Sequence, residues 1–197
     1  MNHVNVVTLA ALLLIISSGQ LLGEDCGSLR SASPESLVSF LEANTPSEDN
    51  AECLTFAIYK LGEMRHEPAI PTLARLLDFR RPPDEHEKRG SHIRMRGFYP
   101  AVDALDEIGK SALPSVLEVI EADSSSATAR ENAVSVWMDI YKYEAPKGVA
   151  TLRQEFESSN DATVKRNLKW ALSKAVTECN PPDEAQCKTA AKTGRAN

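Results

Sequence analysis

A helical phrase that occurs twice limits this chain to a narrow set of folds. Residues 57–62 read AIYKLG and are followed, after a short polar link, by residues 69–77, AIPTLARLL. The same pattern returns in residues 104–109, ALDEIG, and residues 112–120, ALPSVLEVI. Each phrase encodes two short helices, and such a pair cannot bury its apolar face alone. The repetition therefore predicts an all-α fold, an α-α superhelix (solenoid) of about eight antiparallel helices.

Helix boundaries are marked by residues with defined backbone preferences. Ser33 and Pro34 predict the start of the first helix, because serine caps a helix and proline suits its first turn. Gly62 and Gly109 close their phrases and are expected to stop those helices. Residues 128–133, TARENA, are echoed 35 positions later by TVKRNL, which extends the repetition into the C-terminal half.

An apolar segment opens the chain. Residues 6–16, VVTLAALLLII, are too short to cross a bilayer of about 30 Å as a helix, and small residues follow at 17–19. This order is typical of a secretory signal peptide, to which we assign residues 1–23. An uncleaved N-terminal anchor is the alternative. We expect the mature protein to be periplasmic or secreted, with residues 24–178 as a single solenoid domain.

Four cysteines follow this segment: Cys26, Cys53, Cys179 and Cys187. An even number of cysteines in an exported chain predicts structural disulfides. Four cysteines permit three connectivities, of which local pairing, Cys26 with Cys53 and Cys179 with Cys187, is the simplest. A redox pair or metal site lacks support, since there is no Cys-x-x-Cys motif and no histidine near either pair. Residues 179–197 become polar and small, and we expect a disulfide-clipped, largely disordered tail.

The repeated phrase resembles the HEAT-repeat family, in particular the short bacterial HEAT-like repeats also found in phycobilin lyases. The resemblance rests on Ala-x-x-x-Leu-Gly followed by Ala-apolar-Pro-x-Leu, and it covers roughly residues 49–176. It implies a right-handed superhelix whose second helices, at about 67–79, 111–122 and 145–158, line the concave side. It also implies protein binding more often than catalysis. Lyase activity is not carried over, because nothing in the sequence identifies a tetrapyrrole site.

A charged insertion interrupts the array between the two clearest phrases. Residues 80–96 read RRPPDEHEKRGSHIRMR. Loops on a rigid scaffold commonly carry function, and guanidinium groups pair bidentately with carboxylates. The segment is therefore predicted to contact an acidic partner through its arginines. These are Arg80, Arg81, Arg89, Arg94 and Arg96. The alternatives are a solvated loop without a binding role and, for Arg96, a structural position in the repeat.

The insertion also contains the side chains that come nearest to a metal-ligand set: Asp84, Glu85, His86 and His92. Zinc sites use three or four ligands held at fixed geometry. Here the two histidines are separated by five residues on a segment that contains proline and glycine, so no metal site is predicted. No Gly-x-Ser-x-Gly motif or glycine-rich phosphate loop occurs in the chain, and no catalytic residue is assigned.

Charge and motif content together favour a binding function. The net charge is −6, whereas a nucleic-acid-binding protein normally has a basic surface. We predict a non-catalytic protein-binding scaffold with no cofactor, no stable membrane insertion after signal cleavage, and another protein of unknown identity as its partner. The competing hypothesis is an enzyme or enzyme accessory with a metal or anion site in residues 84–96. A module that assembles only with itself is a third possibility.

Overall fold

The computed structural model describes residues 26–83, 95–179 and 183–195, and within these ranges the chain is helical without any β-strand. The predicted signal peptide lies outside the described residues. The α-helices in the described part are α1 (Pro34–Ala43), α2 (Ala51–Glu63), α3 (Ile70–Arg75), α4 (Pro100–Ile108), α5 (Leu113–Glu121), α6 (Ala127–Ile140), α7 (Ala145–Ser158), α8 (Ala162–Glu178) and α9 (Glu184–Thr193). Short 3-10 helices lie at Cys26–Ser31, Glu67–Ala69, Met95–Phe98 and Gly109–Ala112. The all-α prediction is confirmed.

Side chains that accept backbone hydrogen bonds begin three of these helices. The Ser33 hydroxyl accepts from the backbone N–H of Ser36 at 3.2 Å, as predicted for the start of α1. Ser126 and Asp161 act in the same way at the start of α6 and α8. Each cap satisfies an N–H group that has no partner within the helix, so these starts are determined locally.

The helices pack in two adjacent rows. In the first row α2 contacts α4, α4 contacts α6, and α6 contacts α8. In the second row α1 contacts α3, α3 contacts α5, and each of these helices also packs against the first row. At the C-terminal end α7 packs mainly on α8 and α9. Buried side chains from all these helices form one apolar cluster, which runs from Leu37 in α1 to Ala190 in α9.

Gly62 is the last residue but one of α2 and, unlike Gly109, does not have a positive φ, so the expectation that it stops the helix is wrong. It is buried, and a Cβ atom added to it would lie 2.6 Å from the Cα atom of Ala104 on α4. The missing side chain allows the two helices to touch. Gly109 does follow the last residue of α4, with a φ of 84°, and glycine reaches this conformation without the steric cost of a Cβ atom.

Two asparagines connect the rows through the same kind of hydrogen bond. Nδ2 of Asn132 donates to the carbonyl oxygen of Leu77 at 2.6 Å, and Nδ2 of Asn167 donates to that of Glu121 at 2.8 Å. The accepting carbonyls lie just beyond α3 and at the end of α5, where carbonyls lack partners within the helix. Both asparagines belong to the echoed segments 128–133 and 163–168. The sequence echo therefore corresponds to a repeated contact.

Both predicted disulfides are present. Cys26 and Cys53 are joined with a Cα–Cα distance of 5.3 Å, and Cys179 and Cys187 with 6.5 Å. No cysteine of the described ranges is free. Disulfides of this kind persist in oxidising compartments outside the cytoplasm. In the part of the chain that the structure describes, none of the helices combines the length and apolar character needed to cross a membrane.

The C-terminal residues form a docked helix, so the expectation of a largely disordered tail is wrong for residues 183–195. Cys187 and Ala190 are fully buried in α9, which packs against α7 and α8. The Gln154 side chain on α7 also donates to the carbonyl oxygen of Gly194 at 3.3 Å. The small, polar residues of this segment suggested disorder. In the structure, small side chains one turn apart let α9 lie close to α7, and the disulfide holds α9 to the end of α8.

Replacing Gly62 with alanine should lower the free energy of unfolding by about 1–3 kcal/mol, because the added methyl group overlaps the α4 backbone. This loss exceeds the gain of about 0.5–1 kcal/mol that alanine brings to a helix interior. Urea denaturation followed by circular dichroism measures the difference. Glu63→Ala, at the next and exposed position, is the control and should stay within about 0.5 kcal/mol of the wild type. A Gly62→Ala variant as stable as the wild type would contradict close contact of α2 with α4.

Candidate functional site

The two flanks of the charged insertion meet at one place. The backbone N–H of Arg81 donates to the carbonyl oxygen of Phe98 at 2.9 Å, and its Nε donates to that of Gly97 at 2.5 Å. Its Nη1 donates to the carbonyl oxygen of Pro82 at 3.1 Å, and its guanidinium carbon lies 5.6 Å from the centre of the Phe98 ring. Arg81 therefore has a structural role, since it holds residues 81 and 97–98 together at the base of the insertion.

Arg80, the preceding residue, is engaged differently. Its side chain is exposed, and its guanidinium carbon lies 4.8 Å from the centre of the same Phe98 ring. A cation–π contact of this kind orients the group without neutralising its charge. Within the described residues the arginine salt bridges involve Arg65, Arg75, Arg153 and Arg166, and none involves Arg80. Its positive charge is thus accessible to an acidic group.

A groove of about 730 Å³ lies beside this base. We call it the insertion groove. Its walls come from the loop after α1, the first turn of α2, and the chain that follows α3. Leu76 and Phe79, which are 9% and 7% exposed, contribute apolar surface together with Ala51. The full lining is Pro46, Ser47, Glu48, Ala51, Arg75, Leu76, Asp78, Phe79, Arg80, Pro82 and Pro83.

Hydrogen bonds fix both sides of the insertion groove. On one side Asn50 accepts from the backbone N–H of Ser47 through Oδ1, and it donates to the carbonyl oxygen of Thr45 through Nδ2, both at 3.0 Å. On the other side the Asp78 carboxylate accepts from the Ser126 hydroxyl at 2.8 Å. The two hydrogen bonds of Asn50 stabilise the loop after α1. The hydrogen bond between Asp78 and Ser126 connects the chain after α3 to the start of α6. The groove is therefore preorganised.

A second groove, of about 430 Å³, lies between α1, α3 and α5. Arg75 lines both grooves, and its Nη2 lies 3.8 Å from Oε1 of Glu42, which also accepts from the Thr72 hydroxyl at 3.0 Å. The helices that the sequence assigned to a binding face at 67–79 and 111–122 thus both line this second groove. Arg75 joins the two surfaces.

Carboxylates gather where α5 approaches α7. Burial raises the pKa of Glu121, and the negative charges of Glu155 and Glu118 raise it further. This part of the second-row face is therefore acidic, in contrast to the arginines at the insertion groove. The described residues contain no group of three or more histidine, cysteine or acidic side chains arranged to hold a metal ion.

Several residues that the sequence assigned to a site lie outside the described ranges. These are Asp84, Glu85, His86, Arg89, His92 and Arg94. Arg96 belongs to the 3-10 helix Met95–Phe98. Of the five predicted contact arginines, the structure brings Arg80 and Arg81 together around Phe98 and gives them different surroundings. The sequence reasoning missed the wall at residues 46–51, whose only signal was a proline-containing link between two predicted helices.

No family model, curated protein or solved structure matches this chain. The function therefore has to be inferred from the geometry of the molecule. The insertion groove offers apolar surface, an exposed guanidinium and hydrogen-bonded walls, and the neighbouring second-row groove extends this surface along α3 and α5. These features are suited to holding another molecule.

The raised pKa of Glu121 predicts a pH-dependent stability effect. Because folding raises this pKa, the carboxylate destabilises the folded chain once the pH exceeds it. Glu121→Gln removes that penalty and should raise the melting temperature at pH 7 by about 1–2 °C. The difference from the wild type should disappear toward about pH 3, where the carboxyl is protonated in both states. Thermal denaturation by circular dichroism at both pH values measures it.

Glu35 provides a control of opposite sign. Hydrogen bonds from its own backbone N–H and from the Ser33 side chain lower its pKa. Its ionised form therefore stabilises the folded chain above the unfolded pKa, and this contribution is lost as the pH falls through the folded pKa. Glu35→Gln should thus lower the melting temperature at pH 7. A Glu121→Gln effect of equal size at both pH values would exclude its charge as the cause.

Proposed function

We propose that this protein is a non-catalytic protein-binding scaffold of the HEAT-like type, exported to the periplasm or the cell exterior. In this proposal the helix rows wind as a right-handed α-α superhelix. The repeated order of helix contacts and the equivalent hydrogen bonds of Asn132 and Asn167 support it. The two disulfides, Cys26–Cys53 and Cys179–Cys187, support the export.

The insertion groove carries the proposal of binding. It brings the largely buried side chains of Leu76 and Phe79, which line the groove, next to the exposed charge of Arg80. Protein interfaces typically combine apolar anchors with a polar rim, and arginine is enriched among the residues that contribute most to affinity. A partner segment that presents an apolar side chain next to a carboxylate fits this arrangement. The partner would then continue over the second-row groove past Arg75.

The competing hypothesis of an enzyme or enzyme accessory depends on a metal or anion site in residues 84–96. No described residue adds support to that site, because the groups near the insertion groove are Arg75, Arg80, Glu48 and Asp78, which do not converge as metal ligands. Asp78 is hydrogen-bonded to the Ser126 hydroxyl. Stoichiometric metal in the purified protein would favour the enzyme hypothesis over the scaffold.

Reversing the charge of Arg80 should weaken partner binding by at least about tenfold, since like charges placed together at an interface cost several kcal/mol. Arg80→Glu and Arg80→Ala are compared with the wild type after the partner has been captured from the native envelope and identified by mass spectrometry. Biolayer interferometry then measures the dissociation constant. Arg80→Ala should show a smaller loss, because it removes the favourable charge without adding a repulsive one.

Lys169→Glu is the matched control. Lys169 is an exposed cation like Arg80, but it lies on the first-row helix α8 and does not line the insertion groove. This variant should bind as the wild type does. Equal affinity of the Arg80→Glu variant and the wild type would remove the insertion groove from the binding surface. Arg81 is left unchanged, because it holds the base of the insertion together.

A further inference from the structure

The two ends of the helix array have opposite charge. Residues 26–63, which include α1 and α2, contain six acidic and two basic residues. Residues 162–195, which include α8 and α9, contain seven basic and three acidic residues. Because α1 and α2 come first in the order of helix contacts and α8 and α9 come last, this separation in sequence is also a separation in space. The net charge of −6 conceals it.

The basic end has an open apolar groove between α8 and α9, of about 380 Å³. Leu172 and Val176 line it from α8, and Ala191 lines it from α9. Lys188 and Lys192 stand one turn apart beside these apolar side chains. End repeats of stacked helical arrays normally turn a polar face outward, and an apolar groove at the last helix pair departs from that rule.

The lysines of this groove differ in their pairing. Lys188 forms a salt bridge with Glu184 within α9. Lys192 forms no salt bridge with any described residue. Its ammonium group therefore remains accessible beside the apolar surface. A ligand for this end should combine an apolar side chain with a carboxylate.

The acidic end presents this combination on α2. Glu52 and Phe56 are one helical turn apart and so lie on the same side of the helix. Glu52 is exposed, whereas Phe56 is half-buried and is not among the side chains packed against the apolar core. Glu48 and Asp49, both exposed, precede α2 and add negative charge nearby.

We propose that the acidic end of one copy of this chain docks on the basic end of a second copy. Phe56 enters the groove between α8 and α9, and Glu52 pairs with Lys192. The two surfaces are different, so the contact is heterologous, and a docked pair keeps one unused acidic end and one unused basic end. Association therefore continues into chains or closes into a ring. Attraction between the oppositely charged ends is screened by salt, which makes the association dependent on ionic strength.

Sedimentation of the purified protein with both disulfides formed tests the proposal. At low ionic strength the average mass should rise with concentration and exceed that of a dimer, and added salt should weaken the association. Lys192→Glu and Glu52→Lys should each weaken it by at least about tenfold, through like-charge repulsion at the contact. Phe56→Ala should weaken it as well. Lys110→Glu is the control. It makes the same charge change at a position that lies between the two ends, and it should leave the association unchanged.

Mixing the two charge variants isolates the heterologous contact. A Glu52→Lys chain retains an intact basic end, and a Lys192→Glu chain retains an intact acidic end. Each alone should be monomeric where the wild type associates, while their mixture should associate, because the two intact ends can pair and the two reversed ends also carry opposite charges. A chain carrying both reversals should associate again, because the pair is restored with opposite signs. A monomer at every concentration, an effect of Lys110→Glu equal to that of Lys192→Glu, or a mixture that stays monomeric would overturn the proposal. Circular dichroism melts confirm that each variant is folded.

Discussion

Close contact between successive first-row helices is the constraint on which the remaining structure depends. It is tightest where the buried Gly62 of α2 meets Ala104 of α4, because a side chain on Gly62 would overlap the α4 backbone. A short helix with one apolar stripe is stable only when neighbours cover that stripe. The α2–α4 contact brings the following second-row helices, α3 and α5, within reach of each other. The grooves beside α3 exist because the spacing between these helices is fixed.

Hydrogen bonds between residues distant in the sequence fix the position of each helix along its neighbour. Asn132 and Asn167 satisfy carbonyl groups near the ends of α3 and α5, and Nε1 of Trp137 donates to the carbonyl oxygen of Gly148 at 3.0 Å in a buried position. Leaving a buried polar group unpaired costs about 1–3 kcal/mol, so a shift of one helix against the next would be penalised at several places together. Apolar packing alone tolerates small displacements, whereas these directional bonds do not. The walls of the insertion groove depend on the same kind of bond between Asp78 and Ser126.

The sequence predicted the features that depend on local patterns. The helices, the cap at Ser33 and the pairing of Cys179 with Cys187 were all expected, because each involves residues close together in the chain or spaced by the helical period. Gly62 was misassigned because the sequence around a glycine near the end of a helix is the same in two cases. The glycine can stop the helix, or it can allow a neighbouring helix to pack closely. Only the position of Ala104, more than forty residues away, distinguishes the two cases. The C-terminal helix was missed because its small residues resemble a disordered tail until the surface of α7 is in place.

In the candidate site, too, the sequence predicted features that depend on neighbouring residues and missed those that depend on residues distant in the chain. The arginines at 80 and 81 marked the insertion, but the sequence could not separate Arg80, which remains exposed, from Arg81, which donates to Gly97 and Phe98. The opposite wall at residues 46–51 comes from an earlier loop that carries no signal of binding. Because Arg81 bonds to Gly97 and Phe98, the two flanks of the insertion are held at a single point of the scaffold. α2 can therefore pack directly on α4 across the insertion, and changes within the insertion need not disturb the helix rows that support it.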